Sequence, residues 1–173
     1  MDTEAALQRA EELLQPYSRW SKLTAPNCLT ISISRRSLLE AVQALRDAKW
    51  GYLSAITGLD IPGVRTEIDE EKKWQRLSEE YDQTLVPMDD SFLVLYHFCE
   101  GAAVITLRTH PTGPADARVP SICGLIPSAT LYERELQEMF GIIVEGTPNN
   151  DRLILPDEWP QGIYPLRKSF KGL

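Results

Sequence analysis

Charged and apolar side chains are interleaved most densely in the stretch Leu131–Gly141, LYERELQEMFG, which holds three glutamates and one arginine. Two carboxylates on one side of a helix could serve as a general acid and a general base. The same helix could instead be a docking face. At about 100° per residue, an apolar stripe forms from Tyr132, Leu136, Met139 and Phe140. Glu133 and Glu135 fall on opposite borders of this stripe, which favours ion pairs with neighbouring segments over a paired acid/base site.

The ends of this helix are marked in the sequence. Thr130 and Glu133 have the spacing of a capping box, and Gly141 is a natural C-terminal cap, so we predict a helix from Leu131 to Phe140. Arg134 and Glu138 lie four residues apart on it. We expect them to form a surface ion pair.

Other candidates for chemistry are sparse. The two histidines are His97, inside a predicted strand, and His110, and neither has an acidic residue at a metal-binding spacing. The three cysteines, Cys28, Cys99 and Cys123, are far apart in sequence, so they predict neither a disulfide framework nor a zinc or iron–sulfur site. The chain contains no nucleophile elbow and no phosphate-binding glycine loop. We expect no catalytic residue, cofactor site or metal site.

Charge and hydropathy exclude two further classes of partner. The net charge of −7 argues against a nucleic acid or an anionic membrane surface, which attract clustered Lys and Arg. No run approaches the roughly 18 apolar residues of a membrane-spanning helix, and the acidic N-terminus does not resemble a targeting peptide. We expect a reducing compartment and membrane contact only through a partner.

The remaining elements follow from periodicity and turn residues. Apolar residues spaced as on one helix face predict a helix from Thr3 to Gln15 and a second one ending near Lys49. Alternating or β-rich runs predict strands at 28–33, 50–57, 92–99 and 102–108, the last two joined as a hairpin by Glu100-Gly101. Gly58 is expected to close the strand at 50–57. Short extended pieces are expected at 142–144 and 153–155.

These elements predict an α/β (α+β) fold with a mixed β-sheet. It contains an N-terminal β-α-β element and a central hairpin, and its helices pack on the sheet. One domain is expected over residues 1–156, with a charged insertion at about 61–90. Prolines and a glycine exclude a helix from 157–173, so we expect an extended C-terminal docking tail there.

The C-terminal half, from about Ser91 to Phe170, resembles the 30-kilodalton subunit of respiratory complex I. The resemblance rests on ERExxEMFGI from Glu133, RLILPDEW from Arg152 and PLRK from Pro165, with Gly146 and Pro148 between them. By this resemblance, the family signature and the subunit-interface residues are Glu133, Arg134, Glu135, Glu138, Phe140, Gly141, Arg152, Trp159, Pro165, Leu166, Arg167 and Lys168; we call them the signature residues.

The resemblance implies a non-catalytic subunit on the cytoplasmic side of an energy-converting membrane. It would dock on the 49-kilodalton, quinone-site subunit and lie near an adjacent iron–sulfur subunit, in a complex that couples electron transfer to ion transport. Iron–sulfur clusters, and flavin or nickel-iron, would then belong to partner subunits. The homologous alternative is a membrane-bound [NiFe] hydrogenase or a ferredoxin-dependent relative, in which the partner resembles a hydrogenase large subunit.

Two other classes of function compete with this interpretation. A free-standing enzyme would use Glu133, Glu135 or His97, but no orienting partner or substrate loop is visible for any of them. A soluble adaptor without a redox partner is the third alternative. Proteins that co-purify with the chain would separate this alternative from the first.

Overall fold

The computed structural model describes residues 2–61, 91–112 and 116–172 of the chain. Within these ranges it contains three α-helices and seven β-strands: α1 (Thr3–Leu14), β1 (Ser18–Ala25), β2 (Cys28–Ile33), α2 (Leu38–Asp47), β3 (Tyr52–Ile61), β4 (Ser91–Glu100), β5 (Ala103–Thr109), β6 (Arg118–Pro120), α3 (Ala129–Phe140) and β7 (Ile143–Glu145). The predicted insertion at about 61–90 lies outside the described residues, except for Ile61.

Five strands form one mixed sheet in the order β1-β2-β5-β4-β3. Strands β2 and β5 are parallel, and the other three neighbouring pairs are antiparallel. Strands β2 and β3, which α2 connects, therefore run in the same direction with β5 and β4 between them. The β-α-β element is thus present in a split form, and the predicted α/β (α+β) class with a mixed sheet is confirmed.

One face of this sheet carries the core. Ile31, Leu107, Tyr96 and Ile56 are paired in one row across β2, β5, β4 and β3, and all four are buried. Helix α1 packs on β2 and β5, and α3 packs on β3. Trp50 ties α1 to the start of β3, since its indole N–H donates to the carbonyl of Ala6 at 3.0 Å.

Two predictions at the N-terminal side need correction. Strand β1 was not predicted, because its residues are mostly exposed and show no alternation of buried and exposed positions. Gly58 does not end its strand, since β3 continues to Ile61.

Three predictions further along the chain have different outcomes. The hairpin turn lies at Gly101, with a φ of 59°, and Ala102, one residue beyond the predicted position. The predicted strand 142–144 is β7, which pairs with β6 in parallel, whereas 153–155 forms no strand.

Gly58 sets how closely α3 approaches the sheet. A Cβ atom at this position would lie 2.6 Å from the Phe140 ring and 2.7 Å from a methyl group of Leu136. Both side chains are buried on the face of α3 that packs on β3. The absence of a side chain at Gly58 therefore lets the second half of α3 lie directly against the strand.

We predict that Gly58→Ala lowers the free energy of unfolding by about 1–3 kcal/mol, because the added methyl overpacks this contact. Urea unfolding followed by circular dichroism measures the change. Gly124→Ala is the matched control, since a Cβ there meets no atom within 4 Å. An equal loss in both variants would show that the change does not come from the contact with α3.

Candidate functional site

Helix α3 begins at Ala129 and ends at Phe140, and Gly141 caps it in a left-handed conformation with a φ of 66°. The predicted C-terminal cap is confirmed. The predicted capping box is wrong: the N-cap residue is Ser128, its side chain makes no capping bond, and Thr130 lies inside the helix. The Glu133 side chain does not bond the start of the helix, because its carboxylate binds Ser121 and Ile122 instead.

Glu133 fixes α3 to the turn that follows β6. Its carboxylate accepts hydrogen bonds from the backbone N–H of Ile122 at 2.7 Å, the hydroxyl of Ser121 at 2.7 Å and the thiol of Cys123 at 3.1 Å. Glu133 is only 2 % exposed, so it lies in the core and not at the border of the apolar stripe. Three donors around one buried carboxylate compensate for its loss of water.

This cluster is unsuited to acid/base or thiol chemistry. Burial and then the hydrogen bond to Glu133 raise the pKa of the Cys123 thiol. Burial and then the charge of Glu133 raise the pKa of Tyr96. Both groups therefore stay protonated at neutral pH, and a protonated thiol is a poor nucleophile. The arrangement is that of a structural clamp.

Arg134 and Glu138 hold the chain that follows β7. Arg134 donates from Nε to the carbonyl of Asp151 at 2.7 Å and from Nη2 to the carbonyl of Arg152 at 2.6 Å. Glu138 accepts from the backbone N–H groups of Leu153 and Ile154. The predicted ion pair between Arg134 and Glu138 is wrong, since each binds backbone groups of this segment and no salt bridge joins them in the described chain.

Arg152 also uses its side chain to bind backbone carbonyls, in this case of residues that follow it in the chain. Its Nη1 donates to the carbonyl of Pro156 at 2.5 Å and its Nη2 to the carbonyl of Trp159 at 2.6 Å. The Trp159 indole in turn donates to the carbonyl of Ile163 at 2.9 Å, and its ring packs against Phe170. A segment rich in proline thus obtains from side chains the hydrogen bonds that a helix or sheet would provide.

Arg167 binds the C-terminal end of α3. Its Nε donates to the carbonyl of Phe140 at 2.6 Å, and the guanidinium lies 4.3 Å from the ring centroid of Tyr164 and 5.0 Å from that of Phe92. A cation at a helix C-terminus is favourable, as is a guanidinium against an aromatic face. A Cβ at Gly141 would lie 2.3 Å from Tyr164, which is a second reason for glycine at that position.

The remaining signature residues differ in their roles. The backbone N–H of Leu166 donates to the carbonyl of Met139 at 3.1 Å, and that of Lys168 donates to Asp60 at 2.8 Å. Pro165 is half-buried, and Glu135 is exposed. Asp60 was not recognised as a site residue, because only the sheet brings the end of β3 to the tail.

We call residues 151–172 the C-terminal segment. It is fixed to α3 and to the end of β3, yet it leaves large aliphatic side chains in solvent: Leu153 is 39 % exposed, Ile154 56 % and Leu166 53 %. Leu153 and Ile154 are held by Glu138, and Leu166 is held by the adjacent Met139. We call these three side chains the aliphatic face.

Both histidines contact residues of the sheet. His97 is half-buried, with Nδ1 3.0 Å from the Thr106 hydroxyl and Nε2 3.2 Å from the Thr57 hydroxyl, and burial lowers its pKa. Nδ1 of His110 lies 3.3 Å from the carbonyl oxygen of Phe92.

Within the ranges the structure describes, no cluster of three or more His, Cys, Asp or Glu could hold a metal. None of the helices in these ranges has the length and apolar character needed to cross a membrane.

We predict that Glu133→Gln lowers the free energy of unfolding by about 1.5–3 kcal/mol, because it removes the charge from buried hydrogen bonds. Glu135→Gln makes the same change on an exposed side chain of α3, and its free energy of unfolding should stay within about 0.5 kcal/mol of the parent value. Urea unfolding monitored by circular dichroism measures both. Equal stabilities for Glu133→Gln and the parent would show that the carboxylate charge is not used.

Comparison with known proteins relates this arrangement to other chains. The family model described as the respiratory-chain NADH dehydrogenase 30 Kd subunit matches residues 31–173. An NADH-quinone oxidoreductase subunit from Rhizobium etli is 32 % identical over 143 residues, covering 82 % of this chain and 60 % of that protein. Membrane-bound hydrogenase subunit beta of Pyrococcus furiosus is 46 % identical over 70 residues, which are 40 % of each chain. The chain thus matches less than two thirds of the length of these relatives.

Solved structures show the same fold. The trypsin-resistant fragment (1-134) of Nqo5 superposes with a TM-score of 0.57 at 21 % identity, covering 86 % of this chain and 99 % of that chain. A chain of the membrane-bound sulfane sulfur reductase, an archaeal respiratory membrane complex, gives a TM-score of 0.62 at 20 % identity and covers 98 % of this chain. The family model covers residues 31–173, from within β2 through the C-terminal segment. The chain therefore belongs to the family of the 30-kilodalton subunit of respiratory-chain NADH dehydrogenase, which has relatives in hydrogenase complexes.

Proposed function

We propose that the chain is a non-catalytic subunit that docks its C-terminal segment on the 49-kilodalton-type subunit of a complex I-type NAD(P)H or ferredoxin:quinone oxidoreductase. The adjacent iron–sulfur subunit lies nearby in this assembly. The clusters and any flavin belong to these partners, and the chain reaches the cytoplasmic side of the membrane through them. Family membership supports the type of complex, and the contacts of the C-terminal segment support the docking.

The observation that carries the proposal is the exposed aliphatic face on a firmly held segment. Fully burying an exposed leucine or isoleucine side chain is worth about 1.5–3 kcal/mol. Leu153, Ile154 and Leu166 are 39–56 % exposed, so they retain part of this as binding energy that the isolated chain does not use. Backbone groups on both sides of these residues are held by Arg134, Glu138 and Met139. A segment fixed before binding loses less conformational entropy on association.

The signature residues act mainly within the chain in this proposal. Glu133, Arg134, Glu138, Arg152 and Arg167 use their charged groups to bind backbone or side-chain partners of their own domain, as described above. They shape the docking surface, whereas the aliphatic face makes the contact. The docking segment accordingly begins at Asp151, six residues before the tail boundary predicted at 157.

The equivalent subunit of a membrane-bound [NiFe] hydrogenase is the second candidate. A stretch of 70 residues, 46 % identical to the Pyrococcus furiosus hydrogenase subunit, supports it. The partner would then resemble a hydrogenase large subunit. The proteins that co-purify with the chain distinguish the two candidates, because one set contains a quinone-site subunit and the other a nickel-iron subunit.

We predict that Ile154→Asp with Leu166→Asp lowers recovery of the large partner subunit about tenfold or more, since a loss of about 1.4 kcal/mol in binding is tenfold in affinity. Affinity purification of the tagged full chain from cells, with quantitative mass spectrometry, measures recovery. Deleting 158–173 is a less specific test, because it also removes Arg167, which binds the carbonyl of Phe140 at the end of α3.

The matched control is Leu23→Asp with Leu39→Asp. These leucines are 60 % and 40 % exposed and lie on β1 and α2, outside the C-terminal segment. The control should assemble as the parent does, and both double variants should keep the parent circular dichroism spectrum. Normal assembly of the Ile154 and Leu166 variant would contradict the proposed docking.

A further inference from the structure

The two outer strands of the five-stranded sheet, β1 and β3, differ in how their free edges are protected. Strand β1 carries Arg19 and Lys22, and its register with β2 is interrupted near both ends. Charged side chains and bulges are features by which edge strands avoid pairing with another chain. Strand β3 has no basic residue and no proline, and its pairing with β4 is continuous from Ala55 to Ile61. This part of β3 therefore lacks the usual protection against an added strand.

The pairing of the inner strands shows which backbone groups of β3 face outward. The N–H of Val104 donates to the carbonyl of Asn27 at 2.8 Å, so the even-numbered residues of β5 face β2 and the odd-numbered ones face β4. The latter pair with even-numbered residues of β4, which leaves the odd-numbered residues of β4 to bind the odd-numbered residues of β3. The N–H and C=O groups of Ile56, Gly58 and Asp60 consequently point away from the sheet.

This edge is accessible. The hydroxyl of Tyr132 donates to the carbonyl of Ser54 at 2.7 Å, and among the described residues this is the only hydrogen bond that another element makes to the backbone of the edge. Gly58 is partly exposed, and because glycine has no side chain, its exposed surface is backbone. Alternating donors and acceptors along an edge are matched by an extended backbone, which presents the same groups at the same spacing.

The side chains next to the edge indicate which residues such an extended segment carries. Tyr52 and Leu59 project from the face of the sheet opposite to Ile56, since they pair with β4 residues of the other parity. They are 66 % and 41 % exposed. Alternate side chains of an added strand would lie beside them, and apolar side chains there would remove apolar surface from water.

We propose that the edge of β3 from Ala55 to Ile61 receives an extended segment of the large partner subunit, which adds a further strand to the sheet. The inference rests on the proposed docking of the C-terminal segment, because the edge adjoins that surface. Asp60 accepts from the backbone N–H of Lys168 at 2.8 Å, and α3, which holds the aliphatic face, packs on β3. The added segment exchanges hydrogen bonds with the outward groups of Ile56, Gly58 and Asp60.

Hydrogen exchange at single residues tests the proposal, in the free full chain and in the complex purified from cells through a tag on this chain. In the free chain the amides of Ile56, Gly58 and Asp60 should exchange faster than those of Thr57 and Leu59, which bind β4. In the complex the first three should slow about tenfold or more, while the other two stay slow. Mass spectrometry with electron-transfer fragmentation resolves these amides. Unchanged exchange of the three outward amides in the complex would overturn the proposal.

A charge on the edge provides a second test. Leu59→Lys should lower recovery of the large partner subunit about threefold or more, because the ammonium loses water when a strand is added beside it. Leu23→Lys makes the same change at an exposed leucine of the other edge strand, β1, and should assemble as the parent does. Both variants should keep the parent circular dichroism spectrum. Equal recovery of the partner by the two variants would contradict the added strand.

Assembly and exchange together separate this inference from the proposed function. If Ile154→Asp with Leu166→Asp abolishes assembly while the outward amides of β3 stay unprotected in the parent complex, the docking is correct and the added strand is wrong. If that double variant assembles normally, the proposed docking is wrong, whatever the amides do. Slow exchange of these amides in the isolated chain, with a dimer that Leu59→Lys dissociates, would assign the edge to a second copy and overturn the proposal.

Discussion

An irregular segment satisfies only a few of its backbone hydrogen bonds within itself, and this constraint organises the C-terminal half of the protein. Residues 151–172 contain three prolines and form neither a helix nor a strand. Side chains of α3 supply the missing partners: Arg134 binds two carbonyls and Glu138 binds two N–H groups. Arg152 and Arg167 repeat this use of charged side chains further along. Hydrogen bonds to charged groups are stronger than neutral ones, so a few of them can hold the segment.

Helix α3 can serve this role because it is fixed on its other sides. Gly58 lets Leu136 and Phe140 lie against β3, and the buried carboxylate of Glu133 binds the turn at 121–123. A shift of α3 would move the attachment points of the C-terminal segment with it. The positions of the sheet, α3 and the C-terminal segment therefore depend on one another.

The sequence was sufficient for the helices and for the longer strands that have a buried face. The apolar periodicity predicted α1, α2 and α3, and β-rich runs predicted the hairpin. Strand β1 was missed because an edge strand with exposed side chains lacks the alternation on which prediction depends. Gly58 was interpreted as a strand end, since the reason for glycine there is a helix that is distant in sequence. The partners of Glu133 and Glu138 were also missed: local spacing suggested a capping box and an ion pair, but tertiary contacts compete for the same carboxylates. Resemblance identified the signature residues, while their contacts required the fold.

The central claim is that the C-terminal segment is already shaped in the free chain and presents its aliphatic face to a partner. Hydrogen exchange of the backbone amides of Leu153, Ile154 and Leu166 tests it most directly, because Glu138 and Met139 hold these three N–H groups. In the isolated full chain they should exchange more slowly than in an unstructured peptide of the same sequence, and Glu138→Gln should accelerate Leu153 and Ile154. Exchange at the peptide rate in the free chain, with protection only after assembly, would contradict the account.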